Sequence, residues 1–326
     1  MAEEEQGSVD AMNRVTTPFG PKATADEVLD GVDLGNKTFV VTGGASGIGR
    51  ETVLALARRG ARVVVGARNP DAATAAFSTD VSEHDMDVSV RQLDVSDPAS
   101  INRFIEGWQG SLDAFVANAG IMALPARELD VHGWELQLAT NYLGHFALAR
   151  GFRPALASSG GRVVVLSSTA HLRAAFDFTD PQYRDRPYDR WNAYSQSKTA
   201  DVLLAAGIAS RWSDDGISAN ALMPGWITTN LQRHLDEGTL RAMGAMDESG
   251  NRIEQSFFKS PAQGAATSVL LAASPLVADV TGKYFEDNQE SEVVESGEGR
   301  STGVARYAVD PDNAERLWEL GSRALM

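Results

Sequence analysis

A chain of 326 residues, 43% hydrophobic and 22% charged, has the balance of a globular protein able to bury a large core. Its formal net charge of −15 and pI near 4.8 argue against nucleic acid as a partner, so an anionic ligand would need a local binding device rather than the overall field. The absence of cysteine excludes disulfides, thiolate catalysis and zinc–sulfur sites.

No apolar run is long enough for a membrane span. The acidic, polar start MAEEEQGSVDAMNR is unlike a secretory signal. Both features suggest a cytoplasmic protein, with residues 1–34 as a partly flexible N-terminal arm. From there strands and helices alternate. KTFVVTG (37–43) is a short apolar run ending in glycine, hence a buried strand. IGRETVLALARRG (48–60) has helical spacing of Val53, Leu54, Leu56 and Ala57, with Gly60 as C-terminal cap. ARVVVGAR (61–68) and DVSVRQLDVSD (87–97) read as strands, and PASINRFIEGW (98–108) as an amphipathic helix opened by Pro98. LDAFVANAG (112–120) is a fourth strand, 134–153 a helix, GRVVVLSS (161–168) a fifth strand and 193–212 a second long helix. GISANALMPG (216–225), SPAQGAATSVLLAAS (260–274) and GKYFED (282–287) give a sixth strand, a helix and a last strand. The acidic, glycine-rich 288–303 suggests an exposed loop, and 310–325 a docking helix.

Alternation with continuously apolar strands predicts an α/β fold: one Rossmann-type, doubly wound parallel sheet of about seven strands with helices on both faces. Ligands then bind beyond the carboxyl ends of the strands. No linker divides the chain, so 35–326 is expected to form a single domain.

TGGASGIG (42–49) joins the first strand to the first helix. Gly43, Gly47 and Gly49 allow positive φ and close approach of a pyrophosphate, and the following helix points free N–H groups at the anion. The spacing, together with LDV around Asp94, NAG (118–120), Asn141 in TNYLGHF, SS (167–168), YSQSK (194–198) and PGWITT (224–229), resembles the short-chain dehydrogenase/reductase family, classical type. The resemblance covers about 37–286. It implies NAD(P)-dependent interconversion of a carbonyl and an alcohol by hydride transfer.

Tyr194 and Lys198 are four apart on a helix, so both can address one pocket. Tyrosine has an unperturbed pKa near 10, and a nearby ammonium favours the phenolate. The resemblance then implies Tyr194 as general acid/base, Lys198 as the group that tunes it and holds the nicotinamide ribose, Ser168 as a hydrogen-bond partner of the substrate oxygen, and Asn141 as holder of a water linking Lys198 to solvent. The choice between Ser167 and Ser168 is open, and Ser168 is favoured. The cofactor would be lined by Gly43, Ser46, Gly47, Ile48 and Gly49, by Asp94 and Val95 at the adenine, by Asn118, Ala119 and Gly120 at the ribose, and by Pro224, Gly225, Ile227 and Thr229 near the carboxamide. The second strand ends in Ala67 and Arg68 with no carboxylate for a ribose diol. An arginine there can take a 2′-phosphate, so NADP(H) is expected over NAD(H), although Ser46 stands where some relatives carry a further basic residue.

The aromatic-rich 171–194 lengthens the gap between Ser168 and Tyr194. It resembles the retinol-dehydrogenase and WW-domain-oxidoreductase branch, which implies a lipophilic or bulky substrate. An insertion at about 172–192 would shape the substrate entrance, or form a surface flap or subunit contact. A mobile lid is expected at about 229–258 and a C-terminal extension at about 288–326. His171 near Ser168 invites a hydrolase reading, but no G-x-S-x-G elbow accompanies it, and the five scattered histidines have no metal-ligand spacing. No metal is expected. Two other functions compete: a catalytically silent NADP(H)-binding regulator, and a sugar-nucleotide epimerase or dehydratase. The intact Asn141, Ser168, Tyr194 and Lys198 set weighs against the first, and the glycine spacing against the second. The resemblance also implies a homodimer or homotetramer, formed through the helices carrying Asn141 and Tyr194.

Overall fold

The computed structural model of the protein describes residues 14–253, 255–295 and 297–325. The first 13 residues of the expected arm lie outside this range. The rest of the arm is packed: Val15 N donates to Glu290 Oε2 at 2.8 Å, Thr17 Oγ1 donates to the Asn288 carbonyl, and a short helix α1 (Ala25–Val28) opens with a Thr24/Glu27 capping box.

In chain order there follow β1 (Thr38–Thr42), α2 (Gly47–Arg58), β2 (Arg62–Ala67), α3 (Pro70–His84), β3 (Val88–Gln92), α4 (Pro98–Glu106) and β4 (Ala114–Ala117). Helix α5 (136–157) comprises Leu136–Leu138, a π-helical turn at Ala139–Leu143 and Gly144–Ala157. Next are β5 (Arg162–Leu166), α6 (Arg190–Arg211), β6 (Ser218–Met223) and α7 (Glu237–Ala242). Helix α8 has two stretches, Pro261–Gly264 and Ala266–Ala273, and precedes β7 (Tyr284–Glu286), β8 (Gln289–Glu290), β9 (Val293–Val294), β10 (Val304–Ala305) and α9 (Pro311–Ala324).

The sheet order is β3-β2-β1-β4-β5-β6-β7-β8, with every pairing parallel except β7–β8. The reversal between β1 and β4 is the topological switch point beyond which ligands bind. Alternate strand residues feed opposite faces. Val40, Phe115 and Val163 join Phe104, Tyr142, Phe146 and Phe152 in one core. Phe39, Val41, Val116 and Val164 join Leu54, Leu56 and Leu270 in the other. Burial of both faces is why these strands read as unbroken apolar runs.

Two expectations need correction, the strand count and the 288–303 loop, and one helix lies in a stretch the sequence pattern leaves blank. The sheet has eight strands rather than seven, because Asp287 and Asn288, both at positive φ, turn the chain back for a two-residue antiparallel strand too short to leave a sequence pattern. Helix α3 is not announced by hydrophobic periodicity, since only Ala73 and Phe77 of its fifteen residues are buried. Its signal is instead the Asn69 cap with Pro70 at the first turn. The 288–303 segment is not simply an exposed loop: β9 pairs with β10, and Val294 and Ala305 bury Leu172.

Candidate active site

The glycine loop leaves β1 with Gly43 at φ 64° and enters α2 at Gly47, φ 54°. A Cβ on Gly49 would come within 2.5 Å of Asn118 Nδ2 and 2.6 Å of the Gly43 carbonyl oxygen. The Asn118 amide donates to the carbonyls of Thr42 (2.8 Å) and Gly43 (3.2 Å), so it braces the loop from β4. Ser46 precedes α2 without a side-chain cap, which leaves the first-turn N–H groups to the cleft. Ile48 and Ile227 both pack on Gly264, and Gly47 faces the Thr229 methyl. These contacts draw the PGWITT segment back over the loop. This bare backbone cradle at a twelve-residue helix N-terminus fits a dinucleotide pyrophosphate.

Arg68 is exposed at the end of β2. Arg233, on the turn Asn230–His234, lies within range of its charge: burial first, and then the Arg68 charge, lower the Arg233 pKa. Sequence reading missed Arg233 because the chain must cross the whole cleft to bring it there. The Asp94 carboxylate accepts from Ser96 N and Oγ at 2.9 and 2.7 Å, which fixes the turn after β3. Val95 is buried against Gly144. Ala119 N and Asn118 N both donate to Thr42 Oγ1 at 3.0 Å.

On α6, Tyr194 and Lys198 are both buried, at 4% and 6% exposure, and Lys198 Nζ lies 5.9 Å from the centre of the Tyr194 ring. Nζ donates to the Leu166 carbonyl (2.9 Å) at the end of β5 and to Asp201 Oδ2 (2.8 Å). Burial works against the ammonium, but Asp201 and Tyr194 outweigh it and hold its pKa above the usual lysine value. The Asp201 carboxyl, 1% exposed, is pushed up by that same burial to about 7, only partly offset by Lys198. Sequence reading did not single out Asp201, although its position one turn after Lys198 is a legible signal.

The two serines after β5 separate cleanly. Ser167 is buried and its hydroxyl donates to the Lys198 carbonyl at 2.7 Å. Ser168 is half-buried, and its hydroxyl accepts only from Ala170 N at 3.2 Å. Ala170 shares an apolar cluster with Tyr194, Met122, Leu235, Leu240 and Ala245, against which Trp191, Met243, Met246 and Phe258 pack. The 229–258 segment therefore covers the tyrosine.

Asn141 lies in the π turn of α5. Its Oδ1 accepts from Ile121 N (2.9 Å), and its Nδ2 donates to the Ile121 carbonyl and to Ser197 Oγ (2.8 Å). Its side chain thus ties β4, α5 and α6 together and makes no bond to Lys198. Its carbonyl accepts from His145 Nδ1 at 2.7 Å, and His145 Nε2 accepts from Thr42 Oγ1 at 2.9 Å. Burial lowers the His145 pKa to about 4, so the ring is neutral. Gly225, at φ 104°, is backed by the Lys259 side chain, whose Nζ pairs with Asp287 at 2.5 Å.

His171 is fully buried and does not touch the Ser168 hydroxyl. Its Nδ1 donates to the Ser168 carbonyl (2.6 Å) and its Nε2 accepts from Ala305 N (3.3 Å), so it clamps the C-terminal extension to the turn after β5. No serine–histidine relay exists here. The insertion is anchored rather than loose. Tyr183 OH donates to Asn192 Oδ1 (2.6 Å), Gln196 Nε2 donates to the Pro181 carbonyl, and Tyr188 OH bonds Glu135 and Gln137. Helix α9 covers α5 and α6: Tyr142 OH donates to the Leu317 carbonyl, and Trp318 meets Phe146 and Trp212 edge-on. Among the described residues, no three His, Asp or Glu side chains gather as metal ligands would, and no helix is long and apolar enough to cross a membrane.

Comparison with known proteins agrees with this geometry. Residues 37–239 match the family model described as short chain dehydrogenase. A Streptomyces lividans protein named probable oxidoreductase is 56% identical over 295 residues, covering 90% of this chain and 99% of its own. Human retinol dehydrogenase 14 is 32% identical, covering 87% and 84%. Pseudomonas aeruginosa RhlG, solved with NADP in its active site, superposes with a TM-score of 0.61 at 26% identity, over 78% of this chain and 96% of its own. The strand order, the glycine cradle and the buried tyrosine–lysine pair thus have one explanation: the chain belongs to the short-chain dehydrogenase/reductase family of nicotinamide-dependent oxidoreductases.

Proposed function

We propose that the protein is an NADP(H)-dependent oxidoreductase that interconverts a carbonyl and an alcohol on a lipophilic or bulky small molecule. The observation that carries this reading is the burial of Tyr194 beside Lys198, with the Tyr194 ring in an apolar cluster that also holds Ala170, whose N–H bonds the half-buried Ser168. The nicotinamide, when bound, supplies or accepts the hydride at carbon. Tyr194 gives a proton to the carbonyl oxygen in reduction, or takes it from the alcohol in oxidation. Lys198 keeps a positive charge beside the phenol, and Ser168 orients the substrate oxygen. Asn141 holds the end of α6 in register with the NAG turn. The glycine loop, braced by Asn118, would hold the pyrophosphate, with Ile227 and Thr229 near the nicotinamide carboxamide.

Preference for NADP(H) is supported by Arg68, exposed at the end of β2 where no carboxylate stands, with the charge of Arg233 within range of it. The NADP in RhlG is consistent with it. A lipophilic substrate is supported by Trp191, Met243, Met246 and Phe258 around Tyr194. The 229–258 segment would open and close over it as a lid, within a single domain. A homodimer or homotetramer in the cytoplasm completes the proposal. Because α9 covers parts of α5 and α6, subunits would meet on surface that it leaves open.

Titration with NADPH and NADH, followed by turnover on lipophilic ketones, aldehydes and secondary alcohols, tests this. We expect tighter NADPH binding, and a Tyr194→Phe variant that keeps cofactor affinity while losing turnover by about 10²–10⁴-fold. Near-normal turnover in that variant would sink the assignment.

A further inference from the structure

Helix α6 carries three ionisable side chains on one buried face: Tyr194, Lys198 four residues on, and Asp201 three further. Only the first two are used in the reading above. Asp201 Oδ2 bonds Lys198 Nζ at 2.8 Å, while its Oδ1 is buried and finds no partner among the described residues. The nearest phenol of the π turn, Tyr142, gives its proton to the Leu317 carbonyl and not to Asp201. A buried carboxylate with one unbonded oxygen is costly, and its retention beside a reactive lysine needs a reason.

The groups facing this pair are few. Lys198 and Tyr194 share its helix. Tyr142 and His145 come from α5, with His145 neutral and its ring nitrogens bonded to Asn141 and Thr42, and Tyr284 of β7 faces Tyr194 with its phenol kept neutral by burial. Tyr142 feels the carboxylate and His145 feels the ammonium. Lys198 is therefore the one cation at Tyr194 in this network, and Asp201 is the anion opposing it. At these distances in a low-dielectric interior, offsetting a cation changes its effect on a neighbour strongly.

We propose that Asp201 is a positioning residue for the reaction: its carboxylate anchors the Lys198 ammonium at the end of β5 and, by offsetting that charge, governs how readily Tyr194 gives up its proton. The inference rests on the reading of Tyr194 as acid/base. With the carboxylate charged, the ammonium is partly neutralised and the phenolate less favoured. With the carboxyl protonated, the ammonium acts on Tyr194 without that offset, and the Tyr194 phenolate becomes the anion that holds it charged against burial. The Asp201 carboxyl is placed to change state near neutrality, where burial has already raised it.

The test needs neither cofactor nor substrate. The Tyr194 phenolate is followed by ultraviolet difference titration, as the signal lost in Tyr194→Phe, with and without Asp201→Asn. We expect phenolate formation in Asp201→Asn to move to lower pH by about one unit or more. An unchanged transition, or a move to higher pH, overturns the proposal. Cooperative unfolding of Asp201→Asn checks that it folds. If it does not fold, isotope-labelled tyrosine in the unmodified chain decides: the Tyr194 ring resonance must shift in step with the Asp201 carboxyl, and a flat response overturns the proposal. A turnover screen that fails leaves this titration interpretable, and a failed titration leaves hydride transfer untouched.

Discussion

The two walls of the cleft are built by opposite means. The glycine-loop wall is backbone: Gly43, Gly47 and Gly49 present no side chains, and Asn118 braces them from behind. The α6 wall is made of buried ionisable side chains, Tyr194, Lys198 and Asp201, with His145 and His171 supporting the segments that flank them. A backbone wall is sensitive to added atoms and indifferent to pH. A side-chain wall is the reverse, because its bonds depend on who holds each proton.

The largest test of that contrast is acid stability. Burial lowers His145 and His171 to about 4. The folded state therefore prefers them neutral, while the unfolded chain protonates them near 6.5. Their stabilisation is complete above about pH 6.5 and is lost as pH falls toward 4, by up to about 3 kcal/mol each. Asp201, Glu135 and Glu286 work in the opposite sense, since their carboxyls, raised by burial, favour the folded state at lower pH, so the histidines' share is read from a variant. Denaturant unfolding between pH 4 and 7 should show stability climbing less with pH in His171→Gln than in the unmodified chain. A slope unchanged in that variant would mean that His171 does not stay neutral in the fold.

Next in size is the backbone wall. Gly49→Ala places a Cβ against Asn118 Nδ2 and the Gly43 carbonyl. Overpacking of about 1–3 kcal/mol, borne by the loop, corresponds to about a ten- to hundredfold loss of NADPH affinity with no new pH dependence. Calorimetric titration at two pH values reads both, and unaltered affinity would show that the loop has room to give.

The smallest effect concerns the insertion. Tyr188→Phe removes bonds to Gln137 and to the buried Glu135. We expect a loss of about 1–2 kcal/mol, measured by thermal unfolding. No change would make the insertion a flap after all, despite its contacts.

The alternation, the parallel sheet and the glycine loop are legible in the residues alone, because burial on both faces forces apolar runs and a tight anion-binding turn demands glycine. So is the face shared by Tyr194 and Lys198, since i and i+4 lie on one side of any helix. Which serine is buried depends on packing, because Ser167 meets the Lys198 carbonyl of α6 while Ser168 bonds only within its own turn. Packing likewise puts Arg233 within range of the Arg68 charge, Ala305 on His171 and α9 on α5, across separations where local pattern carries no information. Asp201 stands between the two. Its spacing was readable, but the burial that makes its charge consequential comes from β5, α5 and α6 closing around it.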